Sequence, residues 1–292
     1  MSTLNALLLA ASVVGAGQPS SSPKAPQFID CTPSGVIIQS TATKVGWDDL
    51  QQRGNALELV LDQIQSNKEK EYVVVIVRPQ SLKFYRQVRN MIAKRQVDVG
   101  YEPLDTDLQF VGDEVTDDKG RTLTGFKLVP RTSPTEKRPV FFECRGNDVF
   151  VVDKDSLDEQ VRVKLSKLNP SVRSGDVSTF LKAIQGEEIK NNYYRVDPKF
   201  LLVGVLALER IPGVAGEGLA DLTKQRSIFR MVTASMNPQT EYAAFLVRDD
   251  SFAVYRRARQ IVESKGISSG WELLGADEPI KFGQDGTVIG PQ

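Results

Sequence analysis

The chain has 292 residues, enough for two domains of ordinary size, and its 40% hydrophobic and 25% charged residues are typical of a soluble globular protein. Its 37 Lys and Arg balance 37 Asp and Glu, so no overall charge would draw it to nucleic acid or acidic lipid. It contains no histidine, which excludes Ser-His-Asp and Cys-His catalysis and removes the commonest metal ligand.

Residues 1–26 are predicted to form a flexible tail. The run "LNALLLAASVVGAG", from Leu4, is apolar, but no basic residue precedes it and it is too short for a membrane helix. A short helix or a disordered tail is the simplest interpretation, and a shortened anchor or export signal is the alternative. No stretch of the sequence is long and apolar enough to span a bilayer.

Residues 27–107 are predicted to form a first unit with the element order β-β-α-β-α-β. It begins with a hairpin, "FIDCTPSGVIIQ", and an amphipathic helix within "GWDDLQQRGNALELVLDQIQ". The run "YVVVIVR" lacks alternation, which is typical of a strand buried on both faces. A helix that begins after Ser81, "SLKFYRQVRNMIAKR", and a strand, "VDVGYEPL", complete the unit.

A linking hairpin is predicted at 108–139, with its turn at Asp118-Lys119-Gly120. A second unit at 140–282 follows and begins with another hairpin, "FFECRGNDVFVV".

The second unit is predicted to carry an insertion at 154–240. Within it the pattern indicates a helix at 176–190, an apolar run, a glycine loop and a further helix at 219–236. A C-terminal tail, 283–292, ends the chain.

Parts of the two units repeat each other. Glu71–Asp105 and Glu241–Gly275 align without a gap at an offset of 170, with eleven identical residues. The hairpins align at a different offset, 113, which places Cys31 on Cys144. The sequence therefore predicts an α/β (α+β) protein of two related β-β-α-β-α-β units in tandem, the second expanded by the insertion.

The two cysteines are too few for a disulfide framework. Because they occupy the same position of the repeated hairpin, Cys31 and Cys144 are predicted to be reduced, buried core residues. A redox or disulfide role is the alternative. Reduced cysteines fit a cytoplasmic location, and an envelope-associated location is the alternative.

The loop "IPGVAGEG", at 211–218, is the first candidate site, through Gly213, Gly216 and Gly218. It lies between an apolar run and a predicted helix, where phosphate-binding loops occur. Its G-x-x-G-x-G spacing matches neither the dinucleotide-binding fingerprint nor the P-loop. A plain exposed loop without nucleotide is therefore predicted.

A second candidate site consists of arginines that recur in both units beside Tyr85 and Tyr255. Arginine with aromatic side chains can bind an anionic polymer through phosphate contacts and stacking. Both tyrosines lie on the apolar stripe of their helices, however, which favours a solvated helix face. The candidate binding residues are Arg78, Arg86, Arg89, Arg248, Arg256 and Arg259.

Carboxylates also repeat between the units, as Asp30 with Glu143 and Glu102 with Glu272. Convergent carboxylates can bind metal or act in acid/base catalysis. Pairing of acids at strand ends with Arg78 and Arg248 is the simpler interpretation, so no catalytic residue, metal site or cofactor is predicted.

The repeated unit resembles the folded domain of the ExbD/TolR family, which are accessory subunits of ion-driven motors in bacterial envelopes. The resemblance rests on "SGVII", on "VIVR" with Arg78, and on Tyr85, and in the second unit on "DVFVV", "FLVR" and Tyr255. Family domains pair as dimers and contact other proteins or cell wall, so the resemblance implies two units that pair within one chain. The family's membrane helix has no counterpart here, and motor coupling is not carried over. The segments concerned are Phe28–Asp105, Phe141–Val152 and Glu241–Gly275.

The residue pattern predicts a non-catalytic module for protein binding or scaffolding, and the resemblance implies motor-channel subunits as candidate partners. The alternatives are a nucleic-acid-binding protein that uses the Arg/Tyr helices and a metal-dependent hydrolase that uses the repeated carboxylates.

Overall fold

Two five-stranded mixed sheets form the centre of this α/β protein. The computed structural model describes residues 24–111, 114–116, 119–123, 136–168, 177–185 and 188–283. The first strand begins at Ala25, inside the segment predicted as a tail. Residues 1–23 and 284–292, the rest of the two predicted tails, lie outside the described residues.

The first half contains the predicted elements and one added strand. Its sheet has the order β3-β2-β1-β4-β5, in which β1, β4 and β5 are parallel and the others antiparallel. The central run 72–77 is buried on both faces, as its uninterrupted apolar sequence predicts. The elements are β1 (Ala25–Thr32), β2 (Gly35–Ile38), β3 (Thr43–Val45), α1 (Trp47–Leu50), α2 (Ala56–Ser66), β4 (Glu71–Val77), α3 (Leu82–Ala93) and β5 (Val99–Pro103).

Where the sequence predicts one helix after the hairpin, the chain forms two, α1 and α2. The break lies at Gly54, whose φ of +73° belongs to the left-handed region that glycine adopts without strain. Asn55 then caps α2 by accepting a hydrogen bond from the Glu58 amide. The predicted apolar positions are nevertheless all buried: Leu50, Leu57, Leu61 and Ile64.

The linking segment forms a small antiparallel sheet of three strands, β6 (Gln109–Val111), β7 (Glu114–Thr116) and β8 (Thr122–Leu123). Leu108 and Val115 pack against Ile76, on the face of the first sheet that α2 and α3 leave open. The linking segment therefore covers the second face of the first sheet. Asp118, in the predicted turn, lies outside the described residues.

The second half has a sheet of the same design, with the order β13-β10-β9-β14-β15 and with β9, β14 and β15 parallel. Its elements are β9 (Arg138–Arg145), β10 (Asp148–Val152), α4 (Lys154–Ser166), α5 (Val177–Gln185), β11 (Tyr194–Val196), α6 (Pro198–Leu201), β12 (Leu206–Arg210), β13 (Glu217–Gly218), α7 (Ile228–Ser235), β14 (Glu241–Arg248), α8 (Phe252–Glu263), β15 (Ser269–Leu274) and β16 (Ile280–Phe282).

Strand pairing in the two sheets follows the same register. Cys31 is opposite Val36 in the first hairpin, and Cys144 is opposite Val149 in the second. Both cysteines are free and buried, as predicted. The segments 71–105 and 241–275 both form strand, helix and strand, which matches the sequence repeat. That the two halves arose by duplication remains an inference from the sequence.

The correspondence extends further into the second unit than the sequence analysis places it. The edge strand β13 pairs with Val149 as β3 pairs with Val36. Ser227 caps α7 as Asn55 caps α2, and the helix predicted at 219–236 accordingly begins only at Ile228. The segment without a counterpart in the first unit is therefore about 153–216, narrower than the predicted 154–240.

The inserted segment and the last strand, β16, together cover the second face of the second sheet. Strands β11, β12 and β16 form a three-stranded antiparallel sheet whose apolar side packs on β9, β10 and β14. Helix α4, which the sequence analysis did not identify, begins at the N-cap Asp153 and buries Leu157 and Val161 there.

One hydrophobic core joins the two halves. It contains buried residues of both central strands, such as Val75 and Phe245, together with helices α2, α3, α7 and α8. No helix in the described part of the chain has the length and apolar character needed to cross a membrane.

Candidate functional site

Arg78 and Arg248 each hold a strand-end carboxylate within their own unit. The Arg78 guanidinium binds both carboxylate oxygens of Asp30, at 2.8 to 3.1 Å, and Arg248 Nε lies 2.8 Å from Glu143 Oε1. The predicted pairing of Asp30 and Glu143 with these arginines is confirmed.

The same two arginines fix the loop that follows the last strand of each sheet. Arg78 Nη1 donates to the carbonyls of Asp105 and Leu108, and Arg248 Nη1 donates to those of Gly275 and Glu278. These four acceptors are equivalent at the offset of 170. Each arginine is buried and links a strand-end carboxylate to the carbonyls of a loop.

For the other pair of repeated carboxylates, Glu102 and Glu272, the predicted pairing with Arg78 and Arg248 is wrong, because both have partners in the opposite unit. Arg89, on α3, lies 2.5 Å from Glu272 of the second unit, and Arg259, on α8, lies 2.8 Å from Glu102 of the first. The contacts are reciprocal, which is the pattern of an interface with twofold symmetry. Burial raises the pKa of Glu102, and the adjacent Arg259 counteracts that effect.

A second set of ion pairs between the units lies beside the first, with equivalent arginines but carboxylates at non-equivalent positions. Arg86 binds Glu278, at 2.5 Å, and Arg256 binds Asp105. Both carboxylates belong to the loops that Arg78 and Arg248 hold. The four helix arginines therefore tie each unit's helix to the other unit's sheet end.

Aromatic rings fill the space between the reciprocal ion pairs. Tyr85 stacks on Trp271 of the other unit at 6.0 Å, and Tyr255 contacts the same ring at 5.9 Å. Trp271 Nε1 donates to the Tyr101 carbonyl, and Trp271 and Tyr101 are equivalent residues of the repeat. Equivalent residues meet each other only near an approximate twofold axis, so this cluster marks the axis.

The six candidate arginines thus use their guanidinium groups on carboxylates and carbonyls of the chain itself. Tyr85 and Tyr255 are 2% and 0% exposed and offer no ring face for a base to stack on. The repeated Arg/Tyr pattern builds the contact between the two units.

The glycine loop is also explained by packing. Gly213 has a φ of +78°, and a Cβ at Gly216 would lie 2.8 Å from the Phe150 ring. Glu217 accepts hydrogen bonds from the Ile228 and Phe229 amides at the start of α7, so a carboxylate already occupies the place of a phosphate. Gly218 pairs with Asp148 as part of β13.

Among the described residues there is no group of three or more Cys, Asp or Glu side chains placed to hold a metal ion. The repeated carboxylates that a metal-dependent hydrolase would use are instead separated into ion pairs with arginine.

A cleft of about 490 Å³ opens in the inserted segment, between helices α5 and α6 and strands β11 and β12. Its apolar lining comes from Ile184, Ile189, Val196, Pro198 and Leu201. Its charged lining comes from Glu188, Arg195, Asp197, Lys199 and Glu209.

The charged side of the cleft is organised by Arg195, which pairs with Glu209 at 2.9 Å and with Glu188 at 3.8 Å. A hydrogen bond from Lys190 lowers the pKa of Glu188, which keeps this carboxylate ionised. The cleft therefore combines a largely buried aliphatic base with a more exposed rim of charges of both signs, as small ligand and peptide sites do.

Tyr194 connects the cleft to the core. Its hydroxyl donates to Glu143 at 2.8 Å, on the carboxylate that Arg248 also binds. Burial and the neighbouring Glu143 raise the pKa of Tyr194, so the hydroxyl keeps its proton. The strand that lines the cleft is thus fixed to the rigid centre of the molecule.

Sequence reasoning identified none of the cleft residues. They are common charged and aliphatic residues without a motif, and they come from four elements that only the fold brings together. The one signal was that the second unit carries extra chain on a repeated scaffold, which is where specificity is expected.

No protein-family model, curated protein or solved structure matches this chain.

Proposed function

We propose that the protein is a non-catalytic binding module, in which the two paired units form a rigid platform and the cleft of the inserted segment binds a segment of a partner protein. The observation that carries this proposal is the cleft itself, built on β11 and β12 and fixed to the core through Tyr194 and Glu143. Rigid support is what lets a site bind without a large ordering cost.

The form of the cleft suits a peptide segment with an apolar residue. Its volume of about 490 Å³ and its aliphatic lining can take an apolar side chain, and the rim offers both signs of charge to the flanking residues. Leu202 and Val203, at the end of α6, are 37% and 72% exposed and extend the apolar surface beyond Leu201.

Selection of a random peptide library against the immobilised protein tests this proposal. Peptides that are enriched should bind the wild type, and Leu201→Arg, which places a charged side chain in the cleft, should weaken binding at least about tenfold, or 1.4 kcal/mol. The matched control is Leu59→Arg on α2, outside the cleft, which should leave the affinity unchanged. Equal affinity of the Leu201→Arg protein for every enriched peptide would refute the proposal.

The partner class follows from the resemblance to ExbD/TolR domains. We propose subunits of an envelope motor channel as candidates, because the family's domains are accessory to such channels. Adjacent genes for such subunits would support this assignment, and binding of their purified extramembrane segments that Leu201→Arg leaves intact would place the contact elsewhere.

The two alternatives have less support. A nucleic-acid-binding surface would need exposed arginines, whereas all six candidates bind carboxylates of the chain and only Arg86 has a side chain more than one third exposed. Affinity for DNA or RNA that falls steeply with salt would reverse this preference. A metal-dependent hydrolase would be supported by a rise in melting temperature with added metal.

A further inference from the structure

Two strongly exposed apolar side chains occupy equivalent positions in the two units. Leu59 on α2 is 62% exposed, and Met231 on α7 is 58% exposed. Each lies four residues after the N-cap of its helix, Asn55 or Ser227. Each helix buries its inner face in the shared core, so these side chains point away from it.

Each side chain belongs to a small apolar patch on the outside of the molecule. On α7, Ile228 lies three residues before Met231, on the same helix face, and is 38% exposed. Leu219, which follows β13, is 41% exposed. On α2, the half-buried Ala56 has the position of Ile228. We call these the α2 face and the α7 face.

The two faces carry opposite charge although their backbones correspond. Segment 46–66 holds four carboxylates and one arginine, whereas segment 218–236 holds three basic residues and one aspartate. Asp62 on α2 is paired with Arg95, and the exposed Asp48 and Asp49 lie on α1, which precedes α2. Arg230 on α7 and Arg226 just before it are exposed. Charge of opposite sign around two apolar patches is the arrangement of complementary docking surfaces.

We propose that the α2 face of one copy docks on the α7 face of a second copy of this chain. Apolar contact between Leu59 and the patch of Ile228 and Met231 would supply affinity, and the surrounding charges would exclude contact between two like faces. The inference is independent of the cleft, which belongs to other elements.

This contact joins two different faces. It closes into a dimer or ring, or continues as an open chain, according to the rotation between successive copies. A contact of one face with itself would always close at the dimer.

Sedimentation velocity and light scattering of the full chain, over about 1 to 200 µM, test the proposal across the range of a weak interface. The average mass of the wild type should rise above that of the monomer and should fall with added salt, because exposed charges are screened. A wild type that stays monomeric over the whole range would overturn the proposal.

Two variants give a sharper test. Leu59→Glu blocks the α2 face and Met231→Glu blocks the α7 face, so each alone should be monomeric, and in a mixture the two blocked faces repel each other. A mixture of the two should form dimers only, because each variant keeps the face that the other lacks. Val163→Lys, at an exposed apolar residue of α4, should assemble as the wild type does.

Substitutions at side chains as exposed as Leu59 and Met231 should change the free energy of unfolding by about 0.5 kcal/mol or less. A variant that is monomeric but has wild-type stability has therefore lost the contact and is not misfolded. Dimerisation of either variant alone, or a monomeric mixture of two folded variants, would contradict head-to-tail docking.

Discussion

Tyr85 and Tyr255 have the same place in the two units, and their rings touch the same tryptophan. Tyr85 contacts Tyr101 in its own unit and Trp271 in the other, while Tyr255 contacts Trp271 and Phe245 in its own. The repeated tyrosine is therefore a core residue of the contact between units.

Tyr85→Ala and Tyr255→Ala should each lower the free energy of unfolding by about 3–5 kcal/mol, because each removes a buried aromatic ring and leaves a cavity. Denaturant unfolding of the purified variants measures this. Leu59→Ala, at a side chain 62% exposed, is the control and should cost about 0.5 kcal/mol or less. Near-wild-type stability of both tyrosine variants would show that the rings are not packed as described.

Cys31 and Cys144 are both fully buried, and burial raises the pKa of each thiol above its ordinary value. Neither should react with a maleimide in the native protein at pH 8, since the thiolate is the reactive form and no path leads to it. Mass spectrometry should show two modifications after denaturation and none before. Labelling of the native protein at the rate of an exposed thiol would contradict the buried placement.

Contacts between residues of the same unit could be predicted from the sequence, whereas contacts between residues of different units could not. Asp30 and Arg78 end neighbouring strands, so local geometry predicts their pairing. Glu102 and Arg259 are 157 residues apart, and their contact depends on how the two units pack. No local pattern encodes that packing, although the repeat of both residues was a usable signal.

At the level of elements, the reciprocal ion pairs between α3, α8 and the sheet ends hold the units in register. Glu102 and Arg259 have side chains only 2% and 10% exposed, so neither charge can return to water if its partner is lost.

Arg259→Met should therefore cost about 3–5 kcal/mol of unfolding free energy, because it leaves Glu102 buried without its main counter-charge. The double variant Arg259→Met/Glu102→Leu should recover most of that loss. Arg138→Met, in an ion pair whose arginine is 59% exposed, is the control and should cost less than about 1 kcal/mol. A double variant no more stable than Arg259→Met would contradict the pairing.

Glu278, which pairs with Arg86 at the same interface, makes the stability of the protein depend on pH. Burial alone would raise its pKa, but the Gly275 amide and Arg86 together lower the pKa below its ordinary value. A carboxylate with a lowered folded-state pKa stabilises above its unfolded value, about 4.3, and this contribution is lost as pH falls through the folded-state pKa.

Glu278→Gln should therefore reduce the loss of stability between pH 6 and pH 3.5, by less than about 1 kcal/mol because the pair is partly exposed. Urea unfolding at the two pH values measures the difference. Asp277→Asn, at the adjacent exposed carboxylate, is the control. An unchanged pH dependence in Glu278→Gln would remove this interaction from the account.

The sequence predicts helices and strands correctly where the spacing of apolar residues determines the structure. The prediction is wrong where a glycine or a capping residue determines it. β4 and α3 lie where the Val/Ile run and the Leu82-to-Ile92 stripe predict them. The helix predicted across Gly54 is broken, because a left-handed glycine and an N-cap outweigh the periodicity. Helix α4 was missed because its sequence is mostly charged and only Leu157 and Val161 are buried.

In the whole molecule, the two units share one hydrophobic core and are not built around separate cores. The core includes Val75 of β4 and Phe245 of β14, and the edge strands β5 and β15 are buried because each faces the other unit. The fold class could be predicted from the repeat. The shape of the cleft could not, because it depends on tertiary contacts of a segment that has no counterpart in the first unit.

A shared core makes the molecule unfold as one cooperative body. Hydrogen exchange of the amides of β4 and β14, measured by mass spectrometry, tests this cooperativity, because central strands exchange only through global opening. In the wild type, both strands should show the same free energy of opening. Tyr85→Ala, in the first unit, should lower both by the same amount, whereas faster exchange of β4 with unchanged protection of β14 would show two independent domains.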